Sequence, residues 1–433
     1  MSVISKLKVP ESEKFYHWLA IFFLALQGLI VALTAVNIPA GDEWESLRTN
    51  AMPGGFNLEY IFAFHNEHRI VFTKLLNYFF LYTTDWNLKY QVIFNYFIFS
   101  SIVLFFIFFQ KKFIPDATKG IWILPFFLAS PINVDNLNWA IQSCFHFCVL
   151  FGLLGIFFAT KGRPRMFYFW LSSVLALFSM YSLAAGIFFA LMILGILVYH
   201  LLMEPNKISI GVLFKLLAVT TLCLGMALWF KGYHHQENHP PYTWPYELDF
   251  WYFYANLVSF SFGFKSANFV IAFISLALVV GVLWKSLTKA FTFQHRFISF
   301  GFFGALSVLG AYGSIALSRT GFGIGQAKTS RYSELGMLMV PFIGWLLWDL
   351  AKQFPKHQKT FKYFIWFVFI GFAGDYSYST YFSVGQTRTE ALSCIAKYYS
   401  GENKAGDCPT LYPGSIAEML DNAKKMSLSW VPK

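Results

Sequence analysis

The sequence predicts an all-α polytopic membrane protein. Of its 433 residues, 57% are hydrophobic and 21% aromatic, while 13% are charged; soluble domains carry roughly a quarter charged residues. The apolar runs are continuous over about 20 residues, the length a helix needs to cross a bilayer, and they lack the alternation of a β-barrel. The formal charge of +11 does not indicate nucleic-acid binding, because the basic residues fall in short hinges between apolar runs.

These runs predict about eleven transmembrane helices, and a count of ten or twelve stays open. Their approximate positions are 15–36, 90–109, 120–130, 144–160, 166–181, 187–203, 208–230, 266–284, 297–317, 334–351 and 363–381. The apolar segments 70–82 and 248–262 are typical of interfacial helices. The first run is too long for a removable signal peptide and leads into an acidic loop rather than a cleavage site.

Lys and Arg in alternate hinges predict the orientation. Basic residues crowd the hinges 111–119, 285–296 and 352–362, and such hinges are cytoplasmic under the positive-inside rule. The N-terminus is then cytoplasmic. The opposite face carries the outer loops 37–89, 131–143, 231–265 and 318–333, and a short tail. We therefore predict a transmembrane module over 1–381 and an outer tail over 382–433.

The cysteines are consistent with this orientation. Cys394 and Cys408 both lie in the predicted outer tail, where an oxidising compartment would allow a disulfide between them. Cys144, Cys148 and Cys223 fall within predicted helices. We expect these three to be buried thiols, as free cysteines usually are.

Carboxylates are concentrated in the first outer loop. Asp42, Glu43 and Glu67 are candidate general bases, because a carboxylate can accept a proton from a hydroxyl nucleophile. His68 and Arg69 are candidate ligands of a phosphate or a sugar, held by Glu67. A solvated loop end or an interfacial helix cap is the alternative. His65, Glu67 and His68 match no standard zinc spacing, so no metal site is predicted.

Amides and tryptophans suggest a sugar site. Asn136, Trp139 and Gln142 lie in one outer loop, and Trp44 follows Glu43 in another. An aromatic face can cover a pyranose ring while amides bind its hydroxyls. The alternative for Trp139 is an anchor at the membrane interface.

Basic residues in the outer loops run against the positive-inside trend. Arg319, Arg331 with Tyr332, and Lys265 are candidate ligands of an anionic group such as a lipid phosphate, which Arg can bind bidentately. Pairing of the arginines with Asp42 or Glu67 is the alternative. The histidines at 234, 235 and 239 are predicted to form a surface loop rather than a metal site.

Taken together, these motifs resemble the GT-C class of membrane glycosyltransferases, and more narrowly the O-antigen serotype-converting glucosyltransferases of bacteria and their phages. The similarity rests on the acidic first loop with Asp42-Glu43, the segment 65–69, the Asn-rich Trp loop, Arg331-Tyr332 and the outer tail. It implies a GT-C-like bundle with Asp42 as the base.

The resemblance also implies a reaction and a location. The reaction is inverting transfer of a hexose, with glucose favoured, from undecaprenyl phosphate to a hydroxyl of lipid-linked O-antigen or lipopolysaccharide. The site would face the periplasm from the bacterial inner membrane, among membrane lipids. The leaving group is already an anion, so neither a divalent metal nor another cofactor is expected.

Two other functions stay open. One is a transferase with the same donor class but another acceptor, such as lipid A or a protein. The other is a flippase or transporter of lipid-linked sugars. A transporter typically has charges midway through its spans and internal repeats, whereas the charges here cluster at one face, which favours the enzyme.

Overall fold

The computed structural model describes residues 13–114, 121–162, 165–205, 209–236, 239–354, 358–373, 389 and 391–432. Within these ranges the regular structure is helical. Extended pairing there is limited to two isolated bridges, His65 with His68 and Asp407 with Ser415. The predicted all-α class is confirmed for the described residues.

The α-helices are labelled in chain order. They are α1 Glu13–Thr34, α2 Leu58–Phe62, α3 Val71–Thr84, α4 Leu88–Phe113, α5 Val134–Asn138, α6 Ser143–Ala159, α7 Met166–Met180, α8 Gly186–Leu202, α9 Ile210–Phe230, α10 Leu248–Phe260, α11 Phe269–Ala290, α12 Arg296–Arg319, α13 Ser333–Met337, α14 Met339–Gln353, α15 Gln358–Ala373 and α16 Ala417–Lys425. Residues 391–400 are also helical.

Seven helical stretches in the described ranges are long and apolar enough to cross a membrane, so the chain is a membrane-spanning protein by length and composition. They are Lys14–Thr34, Leu88–Phe113, Ala140–Ala159, Ile210–Phe230, Phe269–Ala290, Arg296–Phe322 and Ser330–Gln353. Helices α7 and α8, with 15 and 17 residues, are shorter. The predicted count of about eleven is not confirmed.

The predicted span 120–130 is not confirmed as a membrane-crossing α-helix. Ile121–Ala129 forms a nine-residue 3₁₀ helix that contains Pro125. This helix by itself is shorter than the hydrocarbon core, and it packs against α1 and α14. Its apolar character therefore reflects burial inside the protein. The part of the last predicted span beyond 373, at 374–381, lies outside the described residues.

Neighbouring helices of the bundle pack closely at glycines. A Cβ on Gly152 would lie 2.5 Å from the ring of Phe189, and one on Gly304 would lie 2.4 Å from the ring of Phe342. Small residues let neighbouring helices approach closely where lipid supplies no hydrophobic drive for their association.

Among the three cysteines predicted to be buried thiols, Cys144 and Cys148 are buried. Cys223 is exposed on α9, so the prediction is wrong for this residue.

Candidate functional site

A cavity of about 370 Å³ lies where the first loop meets the ends of α8, α9 and α12. Its lining combines polar and apolar side chains. The polar ones include Asp42, His65, Asn66, Glu67, His68, Gln142, Arg319 and Arg331. The apolar ones include Leu183, Ala184, Ala185, Ile187, Phe188, Phe230, Ile315 and Leu317. The cavity therefore offers both charged and apolar contacts to a ligand.

A tight turn presents two histidines to the cavity. The backbone N–H of His65 donates to the carbonyl of His68 over 2.7 Å, and the N–H of His68 donates back over 3.0 Å. Asn66 adopts the positive φ that such a turn favours. Paired residues of this kind project their side chains to the same face. Burial lowers the pKa of His68 to about 4, so this ring adds no positive charge at neutral pH.

Asp42 is the acid most available to a ligand. It lies on the 3₁₀ helix Gly41–Leu47, lines the cavity, and leaves half of its side chain exposed. His65 Nε2 is 3.8 Å from Asp42 Oδ2, an ion-pair distance rather than a hydrogen bond. Interaction with His65, aided by the charge of Arg331, lowers the pKa of Asp42 despite its partial burial. Asp42 is therefore ionised and able to accept a proton.

Glu43, by contrast, has a structural role, because its carboxylate binds backbone N–H groups of two segments. Its carboxylate accepts hydrogen bonds from the N–H of Ala40 over 2.9 Å and from the N–H of Ile141 over 3.0 Å. The side chain is buried and does not line the cavity. Glu43 thus ties the first loop to the segment that carries Trp139 and Gln142.

Glu67 reaches the cavity but is already paired. Arg319 Nη2 lies 2.8 Å from Glu67 Oε2, and His239 Nδ1 contacts Glu67 Oε1. Burial acts to raise the pKa of Glu67, but Arg319 and its neighbouring histidines outweigh burial and lower it. The predicted surface loop of histidines is thereby anchored at His239. In the described part of the chain, no group of three or more His, Cys, Asp or Glu side chains could hold a metal ion.

The two arginines that line the cavity differ in whether their guanidinium groups are already paired. Arg319 is bound by Glu67 and also donates toward the His239 ring. Arg331 lines the cavity, and its guanidinium makes no hydrogen bond or ion pair with another described residue. Its charge acts on Asp42 through space. Arg331 is thus the cation available to an anionic ligand, and Tyr332 lines the cavity beside it.

Four predicted ligands lie outside the cavity. Arg69 donates to the carbonyl of Trp229 over 3.0 Å and stacks 4.0 Å from the Phe64 ring centroid, so it joins two loops. Trp44 is fully buried against Trp430. Asn136 is fully buried and does not line the cavity. Lys265 is exposed and does not line it either. Their residue types suit ligands, but their side chains face protein or solvent instead.

The predicted sugar-binding pair Trp139 and Gln142 do line the cavity. Trp139 Nε1 donates to the carbonyl of Ala40 over 2.9 Å, which fixes the ring beside the first loop. Sequence reasoning missed Tyr233 and Tyr242, which also line the cavity and whose hydroxyls lie 3.3 Å apart. Aromatic residues are so frequent in this chain that no sequence signal singled them out.

The tail folds onto the loop that carries Asp42. Cys394 is bonded to Cys408, and the N–H of Gly41 donates to the carbonyl of Leu411 over 2.7 Å. Asn422 Nδ2 donates to the carbonyl of Leu47 over 2.9 Å, at the far end of the same 3₁₀ helix. Both ends of the Asp42 segment are therefore held by the tail.

We expect replacement of Cys394 and Cys408 by Ser to loosen this segment. A disulfide that closes a loop of about 15 residues stabilises by about 3 kcal/mol in the chain-entropy view. Hydrogen exchange followed by mass spectrometry should show faster exchange both in the tail and at 41–47. Cys223→Ser is the matched control, since Cys223 is a free, exposed thiol. Unchanged exchange at 41–47 would show that the disulfide does not support the Asp42 segment.

Comparison with known proteins gives no family assignment. No protein-family model matches the chain, and no curated protein or solved structure matches it either. The functional argument therefore depends on the residues of the cavity.

Proposed function

We propose that this protein is an inverting glycosyltransferase that moves a hexose, with glucose favoured, from undecaprenyl phosphate to a hydroxyl of O-antigen or lipopolysaccharide. One observation carries the proposal: the ionised Asp42 and the Arg331 guanidinium, which has no side-chain partner among the described residues, line the same cavity together with apolar side chains. A lipid-linked sugar phosphate has the matching chemistry, since it joins an apolar chain to an anion and a sugar.

The residues suit the steps of such a transfer. Asp42 would accept the proton of the acceptor hydroxyl as its oxygen forms a bond to the sugar's anomeric carbon. The bond from that carbon to the phosphate oxygen would break on the opposite face, which inverts the configuration. Arg331 would stabilise the charge that develops on the departing lipid phosphate. The products are the glycosylated acceptor and the polyprenyl phosphate.

The remaining lining residues divide by chemistry. The apolar lining residues, among them Ile187, Phe188 and Ile315, are suited to the first units of a prenyl chain. Trp139 and Gln142 are suited to the sugar. His68 is neutral at physiological pH, so we assign it hydrogen bonding to a hydroxyl rather than a charge-based contact with phosphate.

The proposed location is the periplasmic face of the bacterial inner membrane. The basic hinges of the sequence support this orientation. The disulfide that braces the tail also suits an oxidising compartment.

The proposal is tested by expressing the chain in a bacterial host with a defined O-antigen and measuring the mass of one repeat. We expect a gain of one hexose per repeat, and no gain with Asp42→Asn. A hexose gained on lipid A instead would support the proposed donor but show that the acceptor is lipid A. An acetyl increment, or a hexose gain that persists in Asp42→Asn, would contradict the proposed chemistry.

A further inference from the structure

A buried polar chain lies directly behind Arg331. His146 Nδ1 on α6 and Glu334 Oε1 on α13 share a hydrogen bond of 2.8 Å. The amide nitrogen of Asn136 on α5 donates to Glu334 Oε2 over 3.1 Å and to the backbone carbonyl of Arg331 over 3.1 Å. The chain therefore runs from His146 through Glu334 and Asn136 to the backbone of Arg331.

The side chains of His146, Glu334 and Asn136 are buried. His146 and Asn136 have no exposed surface, and Glu334 is 3% exposed. Both His146 and Glu334 lie in helical stretches apolar enough to cross the membrane. Ionisable groups in such places are costly, and they usually mark a function. None of the three lines the cavity, so the function is exerted through a neighbour.

The hydrogen bonds of the two Glu334 carboxylate oxygens indicate that this neighbour is Arg331. A contact that served only to orient the His146 ring would need a single oxygen of Glu334. Here the second oxygen holds Asn136, whose other N–H bond ends on Arg331. The other ring nitrogen of His146 is buried and has no partner among the described residues. The ring is therefore oriented by Glu334, and the connections lead toward the cavity.

We propose that Glu334 is a positioning residue, which through Asn136 fixes the backbone of Arg331 and so holds its guanidinium toward a lipid phosphate in the cavity. The inference rests on the proposed function, because it assumes that Arg331 binds the donor phosphate. A fixed backbone reduces the freedom that the guanidinium must lose on binding, which favours affinity.

The test measures binding of undecaprenyl phosphate to the full-length protein purified in detergent. Glu334→Leu removes both hydrogen bonds, and we expect it to weaken binding about tenfold, as coupled members of one network do. Glu334→Gln keeps an oxygen for Asn136 and an N–H for His146 Nδ1, so it should bind nearly as the wild type does. Asn136→Leu breaks the same link without unpairing Glu334 from His146, and it serves if Glu334→Leu fails to fold.

A double-mutant cycle separates positioning from a general structural role. In an Arg331→Ala background, Glu334→Leu should cause no further loss of binding. Asp349→Asn is the matched control, because it breaks an ion pair with Lys289 near the other end of α14, and it should leave binding unchanged. Wild-type affinity in folded Glu334→Leu would overturn the inference about Glu334 but not the proposed function. The same holds if Glu334→Leu causes equal losses of binding with and without Arg331. Failure of the wild type to bind undecaprenyl phosphate would overturn the proposed function as well.

Discussion

Asp42→Asn is expected to lower the rate of sugar transfer by roughly 10²–10⁴-fold, the usual contribution of a general base. The amide occupies the same space but cannot accept the acceptor's proton. Because the pKa of Asp42 is lowered below its ordinary value of 3.8, the carboxylate is ionised throughout the neutral range. The wild-type rate should therefore show no loss from this group at neutral or mildly acidic pH, and any loss should begin only as the pH falls below the ordinary aspartate value. A transfer assay with purified protein and undecaprenyl-phosphate glucose measures both effects.

The matched control is Glu59→Gln. Glu59 lies in the same loop but is exposed and does not line the cavity, so its replacement should leave the rate unchanged. Glu43→Gln is a poorer test of catalysis, because its carboxylate holds two backbone N–H groups and its loss disturbs the loop. Full activity of folded Asp42→Asn would exclude Asp42 as the base.

Arg331→Ala is expected to weaken binding of the lipid-phosphate donor by about 2 kcal/mol, or on the order of 30-fold. The side chain has no described partner in the protein, so its removal leaves no buried group unsatisfied and should preserve the fold. Arg331→Lys should restore part of the affinity, because Lys keeps the charge but cannot bind phosphate bidentately. Equilibrium binding of undecaprenyl phosphate, with the acceptor's KM measured separately, distinguishes the donor role from a general defect.

Lys265→Ala is the control for this prediction. Lys265 was also a candidate for phosphate binding, but it lies outside the cavity, and its removal should leave donor affinity unchanged. An unaltered donor affinity in Arg331→Ala would show that Arg331 does not bind the donor phosphate.

The sequence predicted the helical class and the elements that contribute to the cavity. It could do so because charged groups are so rare in this chain that Asp42, Glu67, Arg319 and Arg331 stand out. The structure brings all four to one cavity. Which of them is free for a ligand was not predictable, since that depends on partners far along the chain, such as His239 for Glu67.

The failed predictions share a physical cause. Residue type does not reveal the direction of a side chain, so Trp44 and Asn136 had the chemistry of sugar ligands but face the interior. Apolar composition likewise does not separate lipid contact from burial in protein, which is why Cys223 was predicted to be a buried thiol but is exposed on α9. His146 and Glu334 were overlooked, although ionisable residues in predicted spans were a readable signal.

The most direct test of the central claim is photoaffinity labelling with a polyprenyl phosphate that carries a photoreactive group on its first isoprene units. If the lipid phosphate binds in the cavity, the labelled peptides should contain the start of α8 around Ile187 and the end of α12 around Ile315. Labelling should fall when undecaprenyl phosphate competes and in Arg331→Ala. Labels spread over exposed helix faces, such as that of α9, and insensitive to both changes would contradict the account.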